Sequence, residues 1–422
     1  MTATSLSLEM SPVLPFPAPT TWPESVWIGE VWRATVEALG REREATGQPV
    51  RCRLRNADSY RRARLLVRSP GRVHGFIDLD VSDGELNFAD LTRQVARAVG
   101  TPEPGPDPRR TGRRRSVTVV ICTRDRPHLL AGALEAVLAQ DFTDFNVVVV
   151  DNASATSTTA EHVQGHPDPR VRLVVEPNPG VARARNTGLR EADGDIVAFV
   201  DDDAVVDRFW LTTLLDAFDR AESVGCVSGL VPAGEIRTPA QAEFDRRTNW
   251  SVGSAARVFD WNRPPHDVPL FPFAVGEYGT GANFALDREA ALRIDGFDNN
   301  LGAGAPTCGG EDLDIFFRIL RSGRQLVLEP AAVAWHRHRD SDAALEDQMR
   351  GYGMGLGAWL AKIAGNPATA ALAAKVVVTR GPALRAHLRT PSHSVSKGLV
   401  LRGAWEYGRA RLHTRRETPV GP

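Results

Sequence analysis

Three consecutive carboxylates, Asp201-Asp202-Asp203, close the apolar run IVAFV at 196–200. An open α/β sheet presents its ligand site beyond the carboxyl ends of its strands, and three acids crowded there repel one another unless a cation, a base or solvent relieves them. A divalent metal that grips a diphosphate accounts for such a packet. Capping of the helix that begins near Phe209 is the other use acids find at such a place. A second acidic pair, Glu311-Asp312, opens an amphipathic helix in CGGEDLDIFFRILRSG (308–323), behind the glycine-rich stretch GFDNNLGAGAPTCGG (296–310). Acids are common at helix starts, where the dipole favours them. A carboxylate beside a loop able to close over a ligand can also take a proton from a hydroxyl.

Such residues need a scaffold that delivers strand ends to one side. VTVVICT (117–123), FNVVVVD (145–151), VRLVVE (171–176), DIVAFVD (195–201) and VGCVSGLV (224–231) are short Val- and Ile-rich runs without strict alternation, as expected of strands buried on both faces. Helical spacing occupies PHLLAGALEAVLAQ (127–140) and GVARARNTGLREA (180–192) between them. Alternating β and α units imply an α/β fold, a mostly parallel sheet with helices on both faces and right-handed crossovers. Polar residues then gather at the strand ends: CTRDRP (122–127), VDNAS (150–154) and VDDDA (200–204), with ARNTG (184–188) ahead of ADGD (192–195).

In order and spacing these motifs resemble glycosyltransferase family 2 over roughly residues 116–340. The resemblance implies a GT-A fold and an inverting enzyme that takes a sugar from a nucleoside-diphosphate donor with the help of Mn²⁺ or Mg²⁺. The chemistry agrees, because a departing diphosphate develops negative charge that a divalent cation neutralises. In the family's DxD position Asp203 becomes the direct metal ligand, Asp201 lies near the ribose or the metal, and Asp202 sits between them at the nucleotide. Asp151 matches the position that hydrogen-bonds the base. Thr123 ends the first strand, Arg124 and Arg126 lie on the loop after it, and these could hold base and phosphates; many relatives have an aromatic residue near Arg124 that this chain lacks. Arg185 and Asn186 fall where the family faces the donor. GTGANFAL (279–286) resembles the segment lining the donor sugar, with Gly281 permitting close backbone approach and Asn283 offering both donor and acceptor groups. Asp312 takes the place of the base that deprotonates the acceptor hydroxyl, with Gly310 and Glu311 beside it. A histidine after this helix completes the metal site in some relatives, which selects His336 of VAWHRHR (333–339). We expect His338 to point away from His336, leaving it with Arg337 and Arg339 for a diphosphate or an anionic acceptor.

With 422 residues, 42% of them hydrophobic, the chain can form two or three domains with real cores. We expect a disordered lead (1–22), a small α/β domain of unknown role (23–100), a Pro/Arg-rich linker (101–115), the catalytic domain (116–340) and a basic helical tail (341–422). The net charge of −1 hides an uneven distribution, since eleven Lys or Arg face two acids from Gly351 onward. That tail suits contact with an anionic membrane, a solvated appendage or a dimer contact. Cys52, Cys122, Cys226 and Cys308 are widely separated and read as free thiols in a reducing cytoplasm. Neither a secretion signal nor an apolar stretch of about eighteen residues is present, so a cytoplasmic protein is expected, at most peripheral on the membrane. Trp250, Trp261 and Phe271, in the long segment 232–278, either stack on an acceptor sugar or pack the interior. The basic segments lie outside the core without a nucleic-acid module, and no nucleic-acid partner is expected. Two rivals remain: a nucleotidyltransferase, which would not need Asp312, and a non-catalytic nucleotide-sugar or glycan-binding protein, which would not need both acidic motifs.

Overall fold

The chain forms a strand where its composition promised none. Leu6–Met10 (β1) alternates apolar and polar residues and pairs in parallel with Val50–Leu54 (β3). Leu14 is buried among residues that include Trp335. The expected disordered lead over 1–22 is therefore corrected for its described residues: the period-two pattern of LSLEM turns Met10 inward. In all, the computed structural model describes residues 6–14, 19–100, 115–248, 254–382, 384–385 and 396–417. Of the expected linker, 101–115, only Arg115 falls among them. Val26–Trp32 (β2), Arg33–Thr46 (α1), Arg62–Ser69 (β4), Arg72–Asp80 (β5), Glu85–Leu86 (β6) and Phe88–Val99 (α2) complete the N-terminal region. Its strands form two three-stranded sheets, β1-β3-β6 and β2-β4-β5. Asn87 caps α2, its side chain accepting the N–H groups of Ala89 and Asp90.

The Val-rich runs become neighbours in one large sheet. Val117–Thr123 (β7), Pro127–Leu138 (α3), Phe145–Asn152 (β8), Thr158–Gln164 (α4), Val171–Glu176 (β9), Val181–Glu191 (α5) and Ile196–Asp201 (β10) alternate as the sequence pattern requires. Ala204–Val206 (β11), Trp210–Ala217 (α6), Val224–Leu230 (β12), Pro239–Arg247 (α7), Arg257–Phe259 (β13), Asn283–Asp287 (β14), Arg288–Arg293 (α8), Glu311–Arg321 (α9) and Gln325–His336 (β15) follow. The helices Asp342–Ala364 (α10), Pro367–Thr379 (α11) and Lys397–Glu417 (α12) come after them among the described residues. Strand order is β11-β15-β12-β14-β10-β7-β8-β9, with β13 on β15. The run β10-β7-β8-β9 is parallel, β14 is antiparallel to both of its neighbours, and β12 and β15 are again parallel.

Helices cover both faces of this sheet. Val117, Val119 and Ile121 of β7 pack with α3 and α6, whereas Val120 packs with α5 and α9. Each such side chain, fully buried, contributes roughly 1.5–3 kcal/mol relative to exposure. The N-terminal region joins the far edge: Val26, Ile28 and Leu66 share a core with Leu230, Val333 and Trp335. There Arg68, buried in β4, forms a two-point ion pair with Asp207 and bonds Glu30 at 2.9 Å. Removing one member of so deep a pair would leave an uncompensated charge. The edge strand that follows the acidic triplet is thus tied from behind.

Candidate active site

One wall of the site is made by strand register. β11 runs antiparallel to β15 with Ala204 opposite His336, and the Arg337 N–H continues the ladder to the Asp203 carbonyl at 3.0 Å. That register brings His336 Nε2 to 3.1 Å from Asp203 Oδ1. One ligand atom from each of Asp201, Asp203 and His336 can be chosen so that all lie within 4.8 Å of one another. Two carboxylates and an imidazole converging this closely fit a divalent cation such as Mn²⁺ or Mg²⁺. Arg126 and Arg339 approach the other oxygen of Asp203 at 3.6 and 3.5 Å.

The electrostatics of the triplet are split. Burial alone would raise the Asp203 carboxyl, but His336, by charge and hydrogen bond, together with Arg339 and Arg126, holds it below the usual carboxylate range. Asp202 moves the other way: burial, then the Asp203 charge, push it up to about 6 despite a hydrogen bond from the Thr123 hydroxyl at 2.7 Å. Burial opposes protonation of His336, yet the Asp203 carboxylate outweighs it and raises the imidazole. His338 does not point away from His336: residues two apart in an extended chain share a face, and the two Nδ1 atoms stand 3.2 Å apart. Burial, then the neighbouring His336, push His338 down to about 3.

The opposite wall is a helix start. Arg185 of α5 is buried over the rings of Phe284 and Phe297. It donates to Glu311 Oε1 and the Gly281 carbonyl, each at 2.8 Å, and to Asp201 Oδ1 at 3.4 Å, so it spans both walls. Burial, then the Asp312 charge, push Glu311 up to about 7, with Arg185 opposing. Asp312 accepts the Gly281 N–H on Oδ2 at 3.0 Å and the Leu313 N–H on Oδ1 at 2.8 Å. Each oxygen keeps a further lone pair. Gly310 caps α9 at φ +91°, and a Cβ there would lie 2.5 Å from the Gly355 carbonyl oxygen of α10. Only glycine meets both conditions.

Both walls face one cleft of about 960 Å³. Asp201, Asp202, Asp203, His336, Glu311 and Asp312 line it, as do Thr123, Arg124, Arg126, Arg185, Gly281 and Gly310. Three expected residues stand elsewhere. The Asn186 side chain is consumed by the Phe297 backbone and Asn299, fixing the loop behind the site. Asn283, fully buried, bonds the carbonyls of Leu230 and Ala332 and accepts from Trp210 Nε1, leaving it no group for a sugar. Asp151 is buried with the Ser154 hydroxyl on its carboxylate, and Asn152 reaches the cleft in its stead. Trp261 packs edge-on to Phe317 and Phe271 edge-on to Tyr278, so both belong to the interior; Trp250 lies outside the described residues. The sequence reading assigned α10 to a helical tail and missed that its Gln348, Tyr352 and Leu356 line the cleft. Gly351 and Gly355, four residues apart on one helical face, were the available signal for close helix packing.

Residues 118–271 match the family model described as Glycosyl transferase family 2. The pre-mycofactocin glycosyltransferase of Mycobacterium tuberculosis is 28% identical over 265 residues, which cover 61% of this chain and 50% of that protein. The succinoglycan biosynthesis protein ExoO of Rhizobium meliloti is 32% identical over 203 residues, covering 46% and 56% respectively. The chain thus spans about half the length of these curated relatives. Among solved structures, the mannosyltransferase PcManGT from Pyrobaculum calidifontis in complex with GDP-Man and Mn²⁺ aligns with a TM-score of 0.47 at 20% identity, over 75% of this chain and 93% of that one. By the match at 118–271 and these relatives, the chain is similar to glycosyltransferase family 2 over this part of its length.

Proposed function

We propose that this chain is a metal-dependent, inverting glycosyltransferase that moves a sugar from a nucleoside-diphosphate donor to a hydroxyl acceptor on a glycan, a lipid-linked saccharide or a natural product. One observation carries the reading: the Asp201–Asp203–His336 donor set and the Asp312 carboxylate share a single cleft. Asp201, Asp203 and His336 would hold Mn²⁺ or Mg²⁺, which when bound neutralises charge on the departing diphosphate. Arg126 and Arg339 flank Asp203 and present guanidinium groups suited to phosphate oxygens. Arg185 ties Glu311 to Asp201 and keeps the two walls in register. Asp312, oriented by two backbone N–H groups, removes the acceptor's proton as the hydroxyl attacks from the face opposite the leaving diphosphate, and attack from that face inverts the anomeric centre. All four cysteines are free, which suits a reducing compartment, and we place the reaction in the cytoplasm.

The test is a series of thermal shifts with UDP-, dTDP- and GDP-sugars, each with and without Mn²⁺ or Mg²⁺, followed by NMR of the anomeric configuration of the product. Stabilisation by one nucleotide class only with metal, and inversion in the product, are expected. No response to any donor, a response indifferent to metal, or retention of configuration would overturn the reading.

A further inference from the structure

Helix α12 has two contrasting sides. Its inner side lies on α10 at backbone contact: a Cβ at Gly357 would stand 1.9 Å from the Val400 carbonyl oxygen, and one at Gly403 1.9 Å from that of Met354. On the same side Tyr407 is buried and donates its hydroxyl to Asp298 at 2.9 Å. The outer side carries Leu401, Trp405 and Leu412, which are 71%, 57% and 62% exposed. At about 100° per residue these positions fall within about 40° of one another along three turns. Arg402 and Arg409 border the stripe, and the Arg409 guanidinium lies 4.7 Å from the Trp405 ring centroid. Glu406 is the only acid between Pro367 and Leu412, against eight Lys or Arg. No helix among the described residues is long and apolar enough to cross a membrane.

We infer that this stripe seats α12 on an anionic lipid surface, with Leu401, Trp405 and Leu412 at the acyl boundary and Arg402 and Arg409 among the headgroups. Charge complementarity selects this occupant. Arg402 and Arg409 along one edge of the narrow apolar stripe, with exposed Lys397 on the other, match lipid phosphates, whereas a second copy of the chain packed on the same stripe would bring these like-charged edges together. α10 backs Gly309 and Gly310 as well as α12, so a protein seated this way keeps its cleft in a fixed relation to the surface. The inference rests on the exposed face and not on the donor reading, so either can fail alone.

The experiment is co-sedimentation of the full chain with vesicles of phosphatidylcholine alone and of phosphatidylcholine mixed with phosphatidylglycerol. Wild-type protein is expected to bind the mixed vesicles about ten-fold more tightly than the neutral ones, and less well as salt rises. The Leu401→Ser/Trp405→Ser and Arg402→Gln/Arg409→Gln double variants are each expected to lose that gain with an unchanged melting temperature, since all four side chains lie on the outer side. Wild-type binding indifferent to phosphatidylglycerol, binding unchanged in both variants, or a stripe-dependent dimer in sedimentation velocity without vesicle binding would each overturn the inference.

Discussion

The two walls of the cleft are built by different means. On the Asp203 side, hydrogen-bonded ladders deliver the charges: β10 ends in the acids, and β11 paired to β15 brings His336 to them. Repulsion within the triplet is offset by an imidazole and two arginines. On the Asp312 side the acid lies on a helix and not on a strand. The carboxylate sits at a helix start placed by glycine-to-glycine backbone contact with α10 and by the buried Arg185. Crowded charge therefore stands where a sheet resists its repulsion, and the carboxylate proposed to take a proton stands where a loop meets a helix. The proposed cation site and the proposed proton acceptor have different needs, and each wall suits one of them.

Substitutions can pull that contrast apart. The largest effect is expected from Asp312→Asn: a fall in kcat of about a thousand-fold with metal-dependent donor binding retained. The amide nitrogen cannot accept an N–H, so one of the two backbone bonds is lost and a small drop in melting temperature accompanies it. Near-normal turnover would remove Asp312 from the role of base. Asp203→Ala should instead act on binding, lowering metal-dependent donor affinity about a hundred-fold, read by calorimetry with and without Mn²⁺; an unchanged affinity would show that the acids do not hold the cation. Gly355→Ala tests the glycine contact, because its Cβ would stand 2.5 Å from the Gly309 carbonyl carbon. A loss of about 1–3 kcal/mol in denaturant unfolding is expected, with kcat reduced more than donor affinity.

The smallest effect is a pH slope. The Glu311 carboxyl is raised from 4.5 to about 7 in the folded chain, so between those values the folded state holds more protons than the unfolded one. Stability contributed by this group is present below about 4.5 and lost as pH rises towards about 7. Glu311→Gln should flatten that part of the stability profile measured by chemical denaturation; an unaltered slope would assign it to other groups.

Much of the scaffold was legible because burial leaves a local trace. A strand covered on both faces needs a run such as FNVVVVD, and it became β8 to within one residue. The acidic motifs were legible for a related reason, since carboxylates at a strand end or a helix start stand out against apolar neighbours. β1 was missed because Pro, Ser and Thr around it masked a short alternating pattern, and β14 shows no sign in the sequence that it runs against its neighbours.

From the sequence alone came the alternating β and α units, the acidic triplet after the fourth strand and the Glu-Asp pair at a helix start, all properties of residues close together in the chain. Which polar groups reach the cleft was decided only by the tertiary structure. Asn186 and Asn283 have the chemistry to bind a sugar, but backbone groups about a hundred and about fifty residues away claim their hydrogen bonds. α10 becomes a wall because its glycines let two backbones touch. Side-chain type and periodicity are local quantities, whereas a hydrogen-bond partner or a contact surface exists only once distant segments have been brought together.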